Sequence, residues 1–569
     1  MAERERVWGG DGLDLRLGRF GEAVRARLER WESERFSQRV WQKDHTLWSP
    51  EPVPDLVDRL GWLPLPESMR TQAEDLLRFG RDAGRDGRPG MKNAVVLGMG
   101  GSSLAPEVFS RTFSAAAGQP ALAVLDSTHP DAVRALAGRL DPARTLFLVS
   151  SKSGTTTETL SFFRTFWKQT GEALASATDA GQRFAAITDP GTPLEKLARE
   201  RAFRAVFSTP EDVGGRYSAF TCFGLVPAAL LGVDLHALLA RGRAMAEACT
   251  APAVNNPGLR LGAALGELAR AGCDKATFLA SPAIESFPDW LEQLIAESTG
   301  KIGRGVVPVV GEAPAAPERY GADRFFVGLV LDGDDSGTGG IEERLAALER
   351  AGHPVALIRL ADPLDLGREI FRWEMAVAAA GAVIGVNPFD QPDVQHAKEL
   401  ASQAMKQRSA GPEGAAAGGG GGAIRAADAG ALGSALLHWL EGIAPGGYLG
   451  VHAYLAPTAE TTAALREIQG LLRDRTGLAT TLGYGPRFLH STGQLHKGGP
   501  DTGRFLQLVD EPATDLTVPE TDYTFGRLIQ AQADGDRQAL EQRGRRVLRV
   551  QLGPAVLQGL RALRGALGS

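Results

Sequence analysis

Along residues 76–240, short continuous apolar runs alternate with stretches whose apolar positions recur at helical spacing. NAVVLGMG, ALAVLDSTHP, TLFLVSS and RFAAITDP predict four strands, and LAPEVFSRTF, DAVRALAGRL and TETLSFFRTFWKQTGEAL predict the helices between them. Strands apolar on both faces, each followed by a helix, predict an α/β fold with a parallel sheet covered on both sides. The pattern resumes over 241–408. There KATFLAS, RFFVGLVLDG and PVALIRLA read as strands, and IEERLAALERAG and REIFRWEMAVAAAGAVIG as helices; no residue-level repeat links the two regions. Residues 1–75 read mostly as helix, broken by SPEPVP. The Gly/Ala tract 409–423 predicts a flexible linker. Residues 424–569 predict another β-α-β piece, in GGYLGVHAYLA, TTAALREIQGLLRDRTG and RFLQLV. Its charged tail, GRLIQAQADGDRQALEQRGRRVLRV, is expected to form a solvated docking helix.

Length and composition narrow the class without naming a chemistry. At 569 residues the chain exceeds a single core, so two to four domains are expected. A net charge of −6 argues against an extended nucleic-acid surface. The three cysteines, Cys222, Cys249 and Cys273, form neither a disulfide framework nor a zinc pattern, which fits a reducing cytoplasm. The opening MAERERVWGGDGLDLRL lacks the apolar core of a secretion signal, and no run of about 18 apolar residues predicts a membrane span.

Candidate chemistry gathers where predicted strands end. The stretch SSKSGTTTETL, from Ser150, follows the strand TLFLV and runs into a helix. Ligands of an open parallel sheet collect outside the carboxyl ends of its strands, where helix N-termini favour anions. Ser151, Ser153, Thr155, Thr156 and Lys152 exceed what helix capping needs and suit a phosphate monoester. LGMGGSSLAPEVF is a second glycine turn. A dinucleotide fingerprint would want glycine where Ser103 stands, although Asp126 ends the next strand as a ribose-binding carboxylate would. The alternative is that Gly101 and Ser102 bring backbone to the same anion. VGGRYSAF presents Arg216 behind two glycines. LEQLIAESTGK places Gln293 and Glu297 at i and i+4, on one helical face, where Glu297 is a candidate general base. NPFDQPDVQHAKEL offers Gln391 and Lys398, and FLHSTGQLHKGGP offers His490 and His496, a poor zinc site without further ligands.

Taken together, SKSGTTTET, GMGGSSLAP, GGRYS, ESTGK, NPFDQPDVQHAK and HSTGQ resemble the signatures of the glucose-6-phosphate isomerases over about residues 40–513. Ser153 stands where threonine is more usual. KDHTLW and the tail FGRLIQAQADGDRQALEQRGRR are most similar to the isomerase half of bifunctional transaldolase/glucose-6-phosphate isomerases, though no stretch is long enough for a separate transaldolase barrel. The resemblance implies two SIS-type (flavodoxin-like) parallel-sheet sandwich domains, at 76–240 and 241–408, with helical N- and C-terminal extensions. It implies that Gly101, Ser102, Ser151, Lys152, Ser153 and Thr156 hold the substrate phosphate, with Gln293 and Gln391 as polar contacts. Glu297 would move the proton between C1 and C2, Arg216 would stabilise the enediolate, and Lys398 and His490 would assist ring opening. No redox cofactor and no metal are required by this chemistry. The expected partners are a small-molecule sugar phosphate and, through the resemblance, a second copy of the chain in a homodimer; neither nucleic acid nor membrane is expected. In most of the family the histidine motif precedes the lysine motif and the histidine comes from the neighbouring subunit. Here His490 follows Lys398, which leaves His496 as the alternative; His396 is expected on a helix surface. Three other functions remain open to the residues: an isomerase of another phosphosugar, a non-catalytic phosphosugar sensor, and a dinucleotide-dependent dehydrogenase.

Overall fold

The computed structural model describes residues 6–8, 11–85, 90–174, 176–333, 340–393, 400, 405 and 423–568. Lys398 and His396, and all of the 409–423 tract except its last residue, lie outside the described residues. The strands are β1 (Arg6–Trp8), β2 (Leu13–Arg16), β3 (Asn93–Leu97), β4 (Ala121–Leu125), β5 (Thr145–Ser150), β6 (Phe184–Thr188), β7 (Ala205–Ser208) and β8 (Lys275–Ala280). They continue as β9 (Val307–Val309), β10 (Arg324–Leu331), β11 (Val355–Leu360), β12 (Ile424–Arg425), β13 (Tyr448–Tyr454), β14 (Ala479–Tyr484), β15 (Gly503–Val509) and β16 (Arg546–Gln551).

Three sheets result. The first has the order β4-β3-β5-β6-β7 with every pairing parallel, the doubly wound order of flavodoxin-like folds. Its central strand β5 is buried at all six positions, as a continuous apolar run between two helical layers requires. In that order the switch point lies between β3 and β5, so the glycine turn and the hydroxyl-rich loop leave the sheet side by side. The second sheet, β1-β2-β11-β10-β8-β9, has a parallel core, with β2 and β1 added antiparallel at one edge. The N-terminal segment, expected mostly helical, thus also supplies two strands. Asp11 ties this edge to the core through the buried Arg260 and Arg372.

The C-terminal region is a third parallel sheet, β12-β16-β15-β13-β14, with its own apolar core. The charged tail divides into the helix Phe525–Gln542, the strand β16 and the helix Val556–Gly568. The expectation of a solvated helix is overturned. Thr524 caps the first of these helices, and Leu528, Ile529, Gln532, Ala533, Asp536 and Ala539 turn inward from it. Of the charges that suggested solvation, Asp536 is buried and only the others lie on the outer face. Gly544, at φ +75°, ends the helical path, and β16 then pairs parallel with β15. No helix among the described residues is long and apolar enough to cross a membrane.

Candidate active site

All six sequence motifs contribute described residues where the first sheet meets the helix Phe287–Thr299. The glycine turn after β3 is the tightest point. Gly100 has φ +55°, and a Cβ there would stand 2.9 Å from the His490 carbonyl and 3.0 Å from Gln293 Nε2. A Cβ on Gly101 would stand 2.1 Å from the Gly215 carbonyl. Both glycines are therefore demanded by close approach: the turn touches the Arg216 segment on one side and the His490 and Gln293 segments on the other. Ser150 Oγ donates to the Ser102 carbonyl at 3.2 Å, locking this turn to the hydroxyl-rich loop.

Within that loop Ser151 Oγ and Thr156 Oγ1 are 2.8 Å apart, and Ser153 Oγ and Thr155 Oγ1 2.9 Å apart. The helix Thr157–Leu174 starts immediately after, so its free N–H groups add to a donor-rich rim. Lys152 behaves differently from its neighbours. Its ammonium pairs with Asp189 and reaches the carbonyls of Pro210 and Glu211, each at 3.3 Å. Its charge is anchored at the ends of β6 and β7.

Arg216 is 2% exposed and fully engaged. Nε donates to Ser298 Oγ at 2.8 Å, and Nη1 to Gln391 Oε1 at 2.8 Å and Glu297 Oε2 at 3.5 Å. Nη2 donates to the carbonyls of Pro388 at 2.7 Å and Asp390 at 3.0 Å. Aromatic packing sets this geometry. Tyr217, adjacent in sequence, lies 5.3 Å from both Trp62 and Phe389, so the arginine turn and the Gln391 loop share one apolar wall. Gln293 Nε2 donates to Glu297 Oε2 at 3.3 Å and to the His490 carbonyl at 2.7 Å. Its Oε1 is buried and has no hydrogen-bond donor among the described residues. His490 Nε2 lies 3.2 Å from Glu158 Oε1.

The structure thus brings Gly101, Ser102, Arg216, Gln293, Glu297, Gln391 and His490 together, with Ser151, Ser153 and Thr156 on the adjoining rim. His496 belongs elsewhere: it is 1% exposed, packed among Tyr448, His452 and Phe505, and burial pushes its imidazole well below the ordinary range. The Asp126 carboxylate takes Arg487 at 3.0 Å. It is committed to an ion pair, which removes the feature behind the dinucleotide alternative.

Sequence reasoning missed four participants. Glu158 stands inside the hydroxyl-rich motif, where seven hydroxyls masked the one carboxylate. Lys301, the last residue of ESTGK, reaches Asp390 Oδ1 at 2.7 Å and the Asn387 carbonyl. Burial and the nearby Arg216 charge lower its pKa to about 7. Ser298 orients Arg216. Gln494, in HSTGQ, donates to the Gly300 carbonyl at 3.0 Å and Asp393 Oδ2 at 2.8 Å and accepts from Asp393 N at 2.9 Å. It therefore ties three motifs into one frame.

A separate cavity of ≈ 690 Å³ adjoins the site, lined among others by Glu107, Asp126, Asp289, Glu292 and Arg487. Burial, reinforced by Asp289, pushes Glu292 up to about 8.

Comparison with known proteins agrees with this assembly. The phosphoglucose isomerase family model matches residues 65–311. Glucose-6-phosphate isomerase of Thermus thermophilus is 30% identical over 380 residues, covering 60% of this chain and 89% of that protein. The enzyme of that name from Rubrobacter xylanophilus is 30% identical over 391 residues, covering 61% and 89%. Among solved structures, a hypothetical protein from Thermus thermophilus is similar with a TM-score of 0.58 and 28% identity, covering 70% of this chain and all of that one. A glucose-6-phosphate isomerase from Chlamydia trachomatis shares the fold, with a TM-score of 0.57, 18% identity, and coverage of 72% and 92%.

Proposed function

The chain belongs to the phosphoglucose isomerase family, and from that premise we propose that it interconverts D-glucose 6-phosphate and D-fructose 6-phosphate through an enediolate. The observation that carries this reading is the buried pair of Arg216 and Glu297, 3.5 Å apart beside a donor-rich rim. Aldose–ketose isomerisation needs one base that removes a carbon-bound proton from C2 and returns it at C1. Glu297 supplies a carboxylate, held at Oε2 by Gln293 and Arg216. The enediolate oxygen needs a positive charge that cannot be lost, and arginine retains its proton.

The phosphate contributes binding energy that fixes the reacting carbons over the base. Ser151, Ser153, Thr156 and the backbone at Gly101 and Ser102 are its proposed holders. Lys152 attracts it at longer range from its pairing with Asp189. His490 is proposed to open the sugar ring together with Lys398. With Glu158 ionised, His490 Nε2–H donates to it, and Nδ1 is the nitrogen left to exchange a proton with the ring oxygen. Gln293 Oε1, without a donor among the described residues, suits a substrate hydroxyl.

We place the activity in glycolysis and gluconeogenesis, in the cytoplasm, with a homodimer as the assembly. The finer relationship, to isomerases fused with transaldolase, is supported by the tail motif AQADGD, whose Gln532 and Asp536 face inward. The test is turnover of fructose 6-phosphate with mannose 6-phosphate as competitor. Preferred conversion of fructose 6-phosphate supports the assignment. Preferred turnover of the mannose ester would move it to another phosphosugar, and binding without turnover would make the chain a sensor.

A further inference from the structure

The helix Phe525–Gln542 reaches the active site with two polar side chains one turn apart. Gln532 is 5% exposed and Asp536 fully buried. Gln532 Nε2 donates to Glu158 Oε1 at 2.7 Å, and its Oε1 accepts from Thr128 Oγ1 at 2.8 Å. Thr128 follows β4, and Glu158 lies in the first turn of Thr157–Leu174, so one amide spans two loops of the first sheet from an element of the third. Asp536 takes Lys497 Nζ at 2.7 Å and faces His452 Nδ1 at 3.3 Å. Lys497 ends the segment that His490 begins. The tail therefore grips that segment at both ends, through Glu158 at His490 and directly at Lys497.

The chemistry of the Gln532 position is specific. It must donate to a carboxylate and accept from a hydroxyl where all three side chains are buried. An amide does both; a methionine of similar length does neither, and a glutamate would set a second negative charge against Glu158. Glu158 Oε1 is the same oxygen that faces His490 Nε2. The amide that fixes this oxygen fixes where the imidazole points and which of its nitrogens keeps its proton. Docking of the helix reinforces the alignment: Ser161 Oγ meets Tyr523 OH at 2.9 Å, and Gln507 Nε2 donates to the Ala533 carbonyl at 2.9 Å.

We propose that Gln532 is a positioning residue for ring opening, holding Glu158 so that His490 presents Nδ1 to the sugar. This rests on the ring-opening role proposed above for His490. The experiment compares wild type, Gln532→Met, Glu158→Gln, the double variant and His490→Asn with glucose 6-phosphate and its 2-deuterated form. For Gln532→Met we expect a roughly tenfold lower kcat, KM within about twofold, and a C2 isotope effect shrinking toward one, because ring opening becomes the slow step. The double variant should be no worse than Glu158→Gln alone. Thr128→Val, which cuts the far end of the same bridge, should move kcat and isotope effect in the same direction by less, and serves if Gln532→Met fails to fold. A purely structural role would lower the active fraction and leave the isotope effect unchanged; that result, or additive losses in the double variant, overturns the proposal. Full activity of His490→Asn would instead overturn the premise about His490, a failure distinguishable from that of Gln532 alone.

Discussion

Each of the five N–H groups of Arg216 already has an acceptor: Ser298, Gln391, Glu297 and the carbonyls of Pro388 and Asp390. In this state the arginine acts as a fixed charge, and a direct bond to substrate requires Nη1 to release Gln391 or Glu297. Lysine carries the same charge without the planar fork and would leave several of these acceptors unpaired in a buried site. Arg216→Lys is therefore expected to lower kcat by about 10²–10³-fold. Steady-state kinetics check this, with binding of a non-reacting phosphosugar measured beside it; an unchanged kcat would remove Arg216 from the reaction. Residue-scale legibility was uneven for a physical reason. Arg216 and Glu297 were readable because each stands in a short motif of the resembled family, Arg216 behind two glycines and Glu297 one helical turn after Gln293. Glu158 and Lys301 were hidden inside motifs already explained by their neighbours, and only geometry shows which side chain turns inward.

At the scale of elements, the helix Phe287–Thr299 carries two sets of acidic and amide groups into two environments. Gln293 and Glu297 serve the site, whereas Asp289 and Glu292 line the adjoining cavity. Glu292 is pushed up to about 8 by burial, above the 4.5 of a free glutamate. Between those values the folded chain holds a proton that the unfolded chain has lost. Stability from this group is thus present below about pH 4.5 and is lost as pH rises through about 8. Glu292→Gln should raise the melting temperature at about pH 9 more than at about pH 5. Equal shifts at both pH values would contradict the assignment. The strands that place this helix were legible wherever apolar runs were continuous, as in β3, β5 and β10. The strand β16 was not, because RRVLRV is half charged and follows a helix whose pattern it extends. The left-handed Gly544 and pairing with β15 separate the two.

For the whole molecule, the altered order of motifs has a structural answer. His490, carried by the third sheet, reaches Glu158 of its own chain, so all the described site residues assemble within one subunit. Mixing Glu297→Gln with His490→Asn subunits should restore no activity; recovery on mixing would show that the histidine crosses between subunits. The sequence indicated parallel sheets and a phosphosugar cleft but made the tail a solvated appendage. Charge counts along a helix do not reveal that Gln532 and Asp536 share its inner face. In the proposed reaction Glu297 moves the proton while the hydroxyl-rich loop only anchors. The most direct measurement is conversion of fructose 6-phosphate to glucose 6-phosphate in chelator, wild type beside Glu297→Gln, with phosphosugar binding followed in both. Turnover by the wild type, a loss of about 10²–10⁴-fold in the variant, and retained binding are expected. A variant as active as wild type would contradict that role of Glu297.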